Sequence, residues 1–346
     1  MRARYSLSGP LLLTASMLAC SSETVEMWPA APVHFLKGTG TTAVLSPATP
    51  TDKERALAEA YTRALASPGF VDLAPIVGEQ AQFALGAHNT HGRARVIKGH
   101  DDVFGAFEER HFVTKRVWLT DSTRPLDSQA CEWTMTGVQA HDWIGIPATQ
   151  QPVVIQGLTL LWTNDDGILS GLHVYFDEGV VRAQLGSGSV ELKKLPRPAP
   201  GAGMPQLFER GGTPEEAANV ALARAMIQAL EDGNENGFLA TMTDDIEVFT
   251  TDHTEPSAGK NAARDYFRTM RGSIRHLDTV IQNAWGVGSF VMLEYAITGL
   301  QQAPLPRVPF AAGRPLHTQF VDIAEMRDGR IAHIWRYADP VAFASL

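Results

Sequence analysis

The chain writes one pattern twice. Residues 165–177 read DDGILSGLHVYFD, and residues 327–339 read RDGRIAHIWRYAD. Upstream of them, Glu132-Trp133-Thr134-Met135-Thr136-Gly137 matches Glu294-Tyr295-Ala296-Ile297-Thr298-Gly299 at an offset of 162 residues (294 less 132). Asp166-Gly167 and Asp328-Gly329 keep that offset, as do Tyr175 with Tyr337 and Asp177 with Asp339. A helix order, a turn and several strand positions in one register indicate an internal duplication. The fold must therefore be one that a unit of about half the chain completes by itself. At 346 residues the chain exceeds one ordinary core, in keeping with two domains.

Each unit opens in the same way. Thr51-Asp52-Lys53-Glu54 and Thr213-Pro214-Glu215-Glu216 are T-x-x-E capping boxes, the second with Pro at the first helical position. Amphipathic helices follow, with stripes of Leu57, Ala60, Tyr61, Ala64 and Leu65, and of Leu222, Ala225, Met226, Ala229 and Leu230. A short apolar segment comes next (71–77; 238–242), then a strand ending at Phe83 or Phe249. Gly99 or Gly259 is expected to precede a further helix, holding Phe104 and Phe107 or Tyr266 and Phe267. Several long strands close each unit. This order is α+β. The domains are placed at 51–185 and 213–346, joined by a Pro/Gly-rich linker at 186–212.

The N-terminus stands apart. Arg2 and Arg4 precede a stretch rich in apolar and small residues, too short to span a membrane and shaped like an export signal over 1–20. Met17-Leu18-Ala19-Cys20 resembles a bacterial lipobox, which implies lipidation of Cys20. The other reading is a plain signal peptide cut near Ala19 or Cys20. Ser21 resembles the default for outer-membrane sorting. The expected location is the bacterial cell envelope, lipid-anchored at the outer membrane and facing the periplasm or exterior. Residues 21–50 read as a flexible tether. With Cys20 acylated, Cys131 has no partner for a disulfide and reads as a small buried residue. The net charge of −9, with no Lys/Arg run, argues against a nucleic-acid partner.

Further motifs narrow the fold. Gly145-Ile146-Pro147-Ala148-Thr149 resembles a G-I-P-P-T segment, and Asp328-Gly329-Arg330-Ile331, Trp335 and Asp339 resemble a D-G-K-I…W…D ending. On these motifs each repeat resembles the SnoaL-like (polyketide cyclase) branch of the nuclear transport factor 2-like superfamily. The resemblance implies two tandem cone-shaped domains, each a curved antiparallel sheet wrapped around about three helices, with a pocket at the open end. It also implies a small hydrophobic molecule as partner, and an intramolecular pseudo-dimer formed through the outer faces of the sheets. The chain departs from the pattern in two places. Gly137-Val138-Gln139 and Gly299-Leu300-Gln301 stand where relatives often have G-T-H, and neither repeat has E-H-W in its last strand. The base of ketosteroid isomerases, counted back from Gly259, falls on Thr250, which has no carboxylate.

A pocket reaction needs an acid or base set in an apolar wall. His317 and Asp322 lie in one strand, five positions apart and so on opposite faces. A constant offset sets Ile155 and Leu160 against them, which makes the second repeat the better enzyme candidate. His317 reads equally as an outer-face histidine. Tyr337 and Asp339, on one face with His333 and Trp335, form a candidate acid/base set or an aromatic core stripe. The candidate catalytic residues are thus His317, Asp322, Tyr337 and Asp339. Trp133, Trp143, His173, Tyr175, Tyr295 and Trp335 are the candidate ligand-binding residues, Trp143 as a rim over the pocket. Alternation turns Glu132 and Glu294 away from the apolar face, to the outside or to a contact between domains. His88, Asn89 and His91, with Asp252-His253 in the second repeat, read as solvated loops rather than a metal site. No phosphate-cradling or dinucleotide motif appears, and no cofactor is expected. Two function classes stay open: a cofactor-independent cyclase, isomerase or lyase, and a non-catalytic module that binds a small ligand.

Overall fold

The computed structural model describes residues 52–85, 88–120, 128–187, 205–251, 255–306, 308 and 311–338. Cys20, the tether, residues 188–204 of the linker, Asp252-His253 and Asp339 lie outside the described residues.

The first unit runs α1 (Asp52–Leu65), a 3-10 segment (Pro68–Leu73), β1 (Val77–Leu85), β2 (His88–His91), α2 (Arg93–Phe104), β3 (Phe107–Leu119), β4 (Gln129–Gln139), β5 (Pro152–Thr163), β6 (Leu169–Phe176) and α3 (Glu178–Gln184). The linker holds β7 (Gln206–Glu209), and after it come α4 (Pro214–Glu231), α5 (Glu235–Ala240), β8 (Met242–Thr250), β9 (Ser257–Ala258), α6 (Gly259–Ser273), β10 (Ile274–Val287), β11 (Phe290–Gln301), β12 (Pro315–Arg327) and β13 (Arg330–Ala338). The start of α4 forms where the T-x-x-E signal places it. Thr213 Oγ1 accepts from the Glu216 amide at 3.1 Å, and Glu216 Oε2 accepts from the Thr213 amide at 2.9 Å. A cap of this kind contributes about 1 kcal/mol.

The strands form two curved sheets, ordered β2-β1-β6-β5-β4-β3-β7 and β10-β11-β12-β13-β8-β9. In each, four long strands run antiparallel, and the first strand of the unit joins the closing strand in parallel. The helices cover one face of each sheet and bury an apolar core against it. The opposite faces meet each other. Trp118, Ala130, Leu158, Leu160 and Tyr175 from the first sheet pack with Trp285, Phe290, Met292, Val321, Ile323 and Tyr337 from the second. The linker is more than a connection. Its β7 pairs in parallel with β3, and Phe208 stacks on Trp118 at 5.7 Å.

Three local expectations change. Gly99 lies inside α2, where it meets the Phe83 ring, and Gly92 precedes that helix as Gly259 opens α6. Phe107 begins β3 instead of extending the helix. On α4, Ala225 is exposed and Leu222 half-buried, while Asn219 and Ala223 are buried.

A fourth change reaches the site. The offset of 162 fails across β5 and β12. Cys131 faces Thr159, whereas Leu293, its counterpart, faces Asp322. Likewise Thr136 faces Val154, and Thr298 faces His317. The true counterparts of His317 and Asp322 are therefore Val154 and Thr159, not Ile155 and Leu160. The loop beyond the pair Val138–Pro152 has thirteen residues, and that beyond Leu300–Pro315 has fourteen. Between the paired Thr163 and Leu169 lie five residues, against four between Met326 and Ile331. One residue gained before the strand and one lost after it restore the linear match on either side. A slip of one residue exchanges the two faces of a strand. Leu160 accordingly lies in the contact between the sheets, while Thr159 points into the cone.

Candidate active site in the second cone

Inside the second cone, alternate residues of β11, β12 and β13 face the helices. Apolar residues such as Val291, Leu293, Ile297, Leu316 and Ala324 fill most of these positions. Two inward positions are ionised. Asp322, fully buried, accepts from Arg336 Nε at 2.8 Å and Nη2 at 2.7 Å in a bidentate pair. Tyr295 donates its hydroxyl to Asp322 Oδ2 at 3.0 Å. The register makes the pair possible, because Leu293, Asp322 and Arg336 stand side by side on three adjacent strands. Rings enclose the cation. Tyr266 of α6 lies 4.6 Å from the guanidinium carbon and Phe320 lies 5.5 Å from it, and Phe320 also stacks on Tyr295. Burial raises the Tyr295 and Tyr266 phenols above their ordinary range, and the Arg336 charge opposes that rise, so both stay protonated. The Tyr266 hydroxyl has no hydrogen-bond partner of standard geometry among the described residues, and neither has Thr318, further along β12. Each buried orphan of this kind needs an explanation.

The first cone holds a different set at matching places. Thr159 replaces Asp322, Val174 replaces Arg336 and Trp133 replaces Tyr295. The Trp133 indole N–H donates to Thr159 Oγ1 at 3.0 Å, and Tyr61 OH lies 3.1 Å from the same oxygen. Tyr61 also reaches His100 Nε2 at 3.4 Å. His100 Nδ1 faces the Val96 carbonyl at 2.9 Å and so carries the ring proton, leaving Nε2 to accept. Burial pushes His100 down to about 4, so the whole chain of contacts is neutral. Phe70, Phe83, Phe104, Phe112 and Phe176 surround it. Gly157 sits opposite Trp133, and a Cβ there would come within 2.3 Å of the indole. Phe320 occupies that place in the second cone. The buried positions of α1 and α4 match at the 162 offset, which sets Ala223 against Tyr61. The first cone is thus packed with rings from helix and sheet, whereas the second keeps an ion pair under a small alanine.

Most of the expected site residues lie elsewhere. His317 is exposed on the outer face of β12, separated from Asp322 by strand alternation. Tyr337, Trp335, His173 and Tyr175 face the contact between the sheets, so they line neither cone. There the duplication becomes reciprocal. Tyr175 donates to Glu294 at 2.5 Å, and Tyr337 donates to Glu132 at 2.5 Å. Residue i meets j and j meets i, as in an isologous dimer contact. The cations differ. Glu294 accepts from His173 Nδ1 of the other domain at 2.6 Å and from Asn283. Glu132 is bidentate with Arg116 of its own sheet at 2.6 and 3.0 Å, and Trp335 stacks over that arginine at 4.0 Å. Burial raises both carboxylates, but these partners outweigh it and hold both below the usual range.

Trp133 and Tyr295 do line the cones, one in each. Trp143 is no exposed rim. It is buried, donating its N–H to the Val103 carbonyl at 2.7 Å. Gln139 explains the glutamine where relatives have histidine. Its amide N–H groups donate to the carbonyls of Ile146 and Pro147, and its Oε1 accepts from Thr149, fixing the G-I-P-A-T loop. Gln301 does similar work for Ala311. Asn89 and His91 lie in β2.

Arg336 and His100 are absent from the residues singled out in the sequence, and Tyr61 and Tyr266 figure there only as helix positions. Arg336 left a signal. It alternates inward with Ile334 and Ala338, and an arginine on an apolar face requires a buried anion. His100 left none, since a helix placed after Gly99 begins about two turns beyond the true start at Arg93.

Residues 223–334 match the family model of the SnoaL-like domain. No curated protein matches the chain. AclR from Streptomyces galilaeus, named as a hydroxylase, is 16% identical over 38% of this chain and 87% of its own, with a TM-score of 0.34. A protein from Jannaschia named as a SnoaL-like polyketide cyclase is 19% identical over 39% of this chain and 96% of its own, with a TM-score of 0.33. TsrD from Streptomyces laurentii is 18% identical over 36% and 91%, also at 0.33.

Proposed function

We propose, from the SnoaL-like domain at residues 223–334, that the second cone binds a small apolar molecule and that the first cone is its packed, ligand-free partner. The observation that carries this reading is the state of Asp322. Its carboxylate is fully buried and accepts three hydrogen bonds, two from Arg336 and one from Tyr295. To act as a general base it would have to take a proton within that pair and leave Arg336 buried without a counter-charge. Breaking a buried pair costs about 3–5 kcal/mol. A carboxylate so committed holds a polar wall in place. This favours binding over acid–base cyclase or isomerase chemistry.

The test uses the purified full chain. Native mass spectrometry and fluorescence displacement with a panel of apolar carbonyl compounds should reveal one bound molecule per chain. Ala223→Tyr, which copies Tyr61 into the second cone, should lower affinity at least tenfold without removing the folded circular dichroism spectrum. Thr159→Ser in the first cone should leave binding unchanged. Turnover of a panel compound that stops in Asp322→Asn would replace the binding reading with the catalytic one.

We further propose that Cys20 carries a lipid and places the cones in the bacterial envelope. Its motif supports this reading. Palmitate label should enter the wild-type chain and not Cys20→Ala; label in neither would remove the anchor.

A further inference from the structure

The second cone brings together charges that cancel and hydroxyls that wait. Asp322 and Arg336 lie 2.7 Å apart, and their side chains are 0% and 10% exposed. Arg336 spends Nε and Nη2 on Asp322, so the bidentate pair takes up its charge within the site. Around the pair, Tyr266, Tyr295 and Phe320 supply apolar faces. The hydroxyl protons of Tyr266 and Thr318, buried on the same inner side, meet no acceptor among the described residues.

We infer that the molecule taken by the second cone is electrically neutral and carries a hydrogen-bond acceptor such as a carbonyl or ether oxygen, with Tyr266 as the residue that recognises it. This rests on the binding reading above and narrows it. A carboxylate ligand would bring a second anion to a cation already matched. A buried charge without its own partner is costly enough that the ligand would stay in water or bind only as the neutral acid. A neutral oxygen asks for a donor alone, and the Tyr266 hydroxyl is a protonated donor held against Arg336. The apolar remainder of the ligand gains by leaving water, at about 25 cal/mol per Å² buried. An orphaned phenol discriminates because an unmet buried hydroxyl penalises a ligand that lacks the oxygen.

The experiment compares methyl nonyl ketone with undecanoate, two probes of equal chain length, on the full-length protein. Isothermal titration at neutral pH should give the ketone at least tenfold the affinity of the acid. The affinity for undecanoate should rise as the pH approaches the acid's own pKa, while the ketone's stays level. Tyr266→Phe should weaken the ketone about five- to tenfold and leave undecane, added from a carrier solvent, unaffected. The midpoint of urea unfolding of that variant checks that the cone remains folded. Undecanoate binding tighter than the ketone at neutral pH, or an unchanged ketone affinity in Tyr266→Phe, would overturn the inference while leaving a ligand-binding cone. If neither probe nor any panel compound binds, the binding reading itself fails and takes this inference with it.

Discussion

The two cones share a frame and differ in what they place at one point of it. In the first, Thr159, Tyr61, Trp133 and His100 form a neutral string inside a ring-packed core. In the second, Asp322, Arg336 and Tyr295 hold an ion pair there, with Ala223 where Tyr61 would be. The filled cone meets every polar atom in its network with a neutral partner. The charged cone joins its pair from two different strands, and the Tyr266 and Thr318 hydroxyl protons meet no acceptor among the described residues.

The largest expected effect breaks that pair. Asp322→Ala leaves Arg336 buried and unpaired, and should cost about 3–5 kcal/mol, read from the urea midpoint of the second domain. Asp322→Leu combined with Arg336→Met should recover most of this loss, since apolar replacement of both partners removes the orphaned charge. An equal loss in the single and double variants would show that the pair is not what holds the cone.

Next in size is the acid response of the first cone. His100 has a folded pKa of about 4 against an ordinary 6.5. In the window between them the unfolded chain binds the proton and the folded chain does not. The stability is full above 6.5 and is lost as the pH falls through the folded value, an effect on the order of 3 kcal/mol. His100→Gln should flatten the unfolding curve in that window. In the second cone Phe267, which does not titrate, stands in the matching turn of α6. A wild-type curve already flat between those values would sink the assignment.

The contact between the domains tests the symmetry of the comparison. Tyr175→Phe and Tyr337→Phe each remove one hydrogen bond to a buried carboxylate, and each should cost about 1.5–3 kcal/mol. Similar losses would show that the reciprocal halves carry equal weight despite their different further partners. Below the ordinary carboxylate value of 4.5, Glu132 and Glu294 should add a second acid-sensitive phase. Their folded pKa values are depressed, so their contribution is full above that value and disappears as the pH falls further. Glu294→Gln should remove part of this phase, as a titration followed by tryptophan fluorescence would show. The smallest effect belongs to the neutral network. Thr159→Val should cost about 1–2 kcal/mol, because Trp133 loses its acceptor and Tyr61 loses a hydroxyl partner.

Much of this was legible without coordinates. Repetition, capping boxes and alternating strands gave two α+β units, and alternation put His317 and Asp322 on opposite faces. It also turned Glu132 and Glu294 outward, where the structure pairs each with the tyrosine of the other domain. The errors share a cause. Reading the repeats at a constant offset set Leu160 against Asp322, when a residue gained in one loop and lost in one turn makes Thr159 the counterpart. Tyr337 and Trp335 looked like pocket residues because an aromatic stripe has two possible faces to cover, and no local signal says which is the cone.

The sequence by itself therefore determined the architecture, since periodicity, caps and turn residues act over a few neighbours, and duplication copies them intact. Only the tertiary structure decided the site. Pairing across strands, not spacing along the chain, set Asp322 beside Arg336, and packing of one sheet on another took four of the aromatic and histidine candidates away from the cones. A carboxylate becomes base, anchor or clasp according to the partners that folding brings to it, and those partners lie on other strands, distant in the chain.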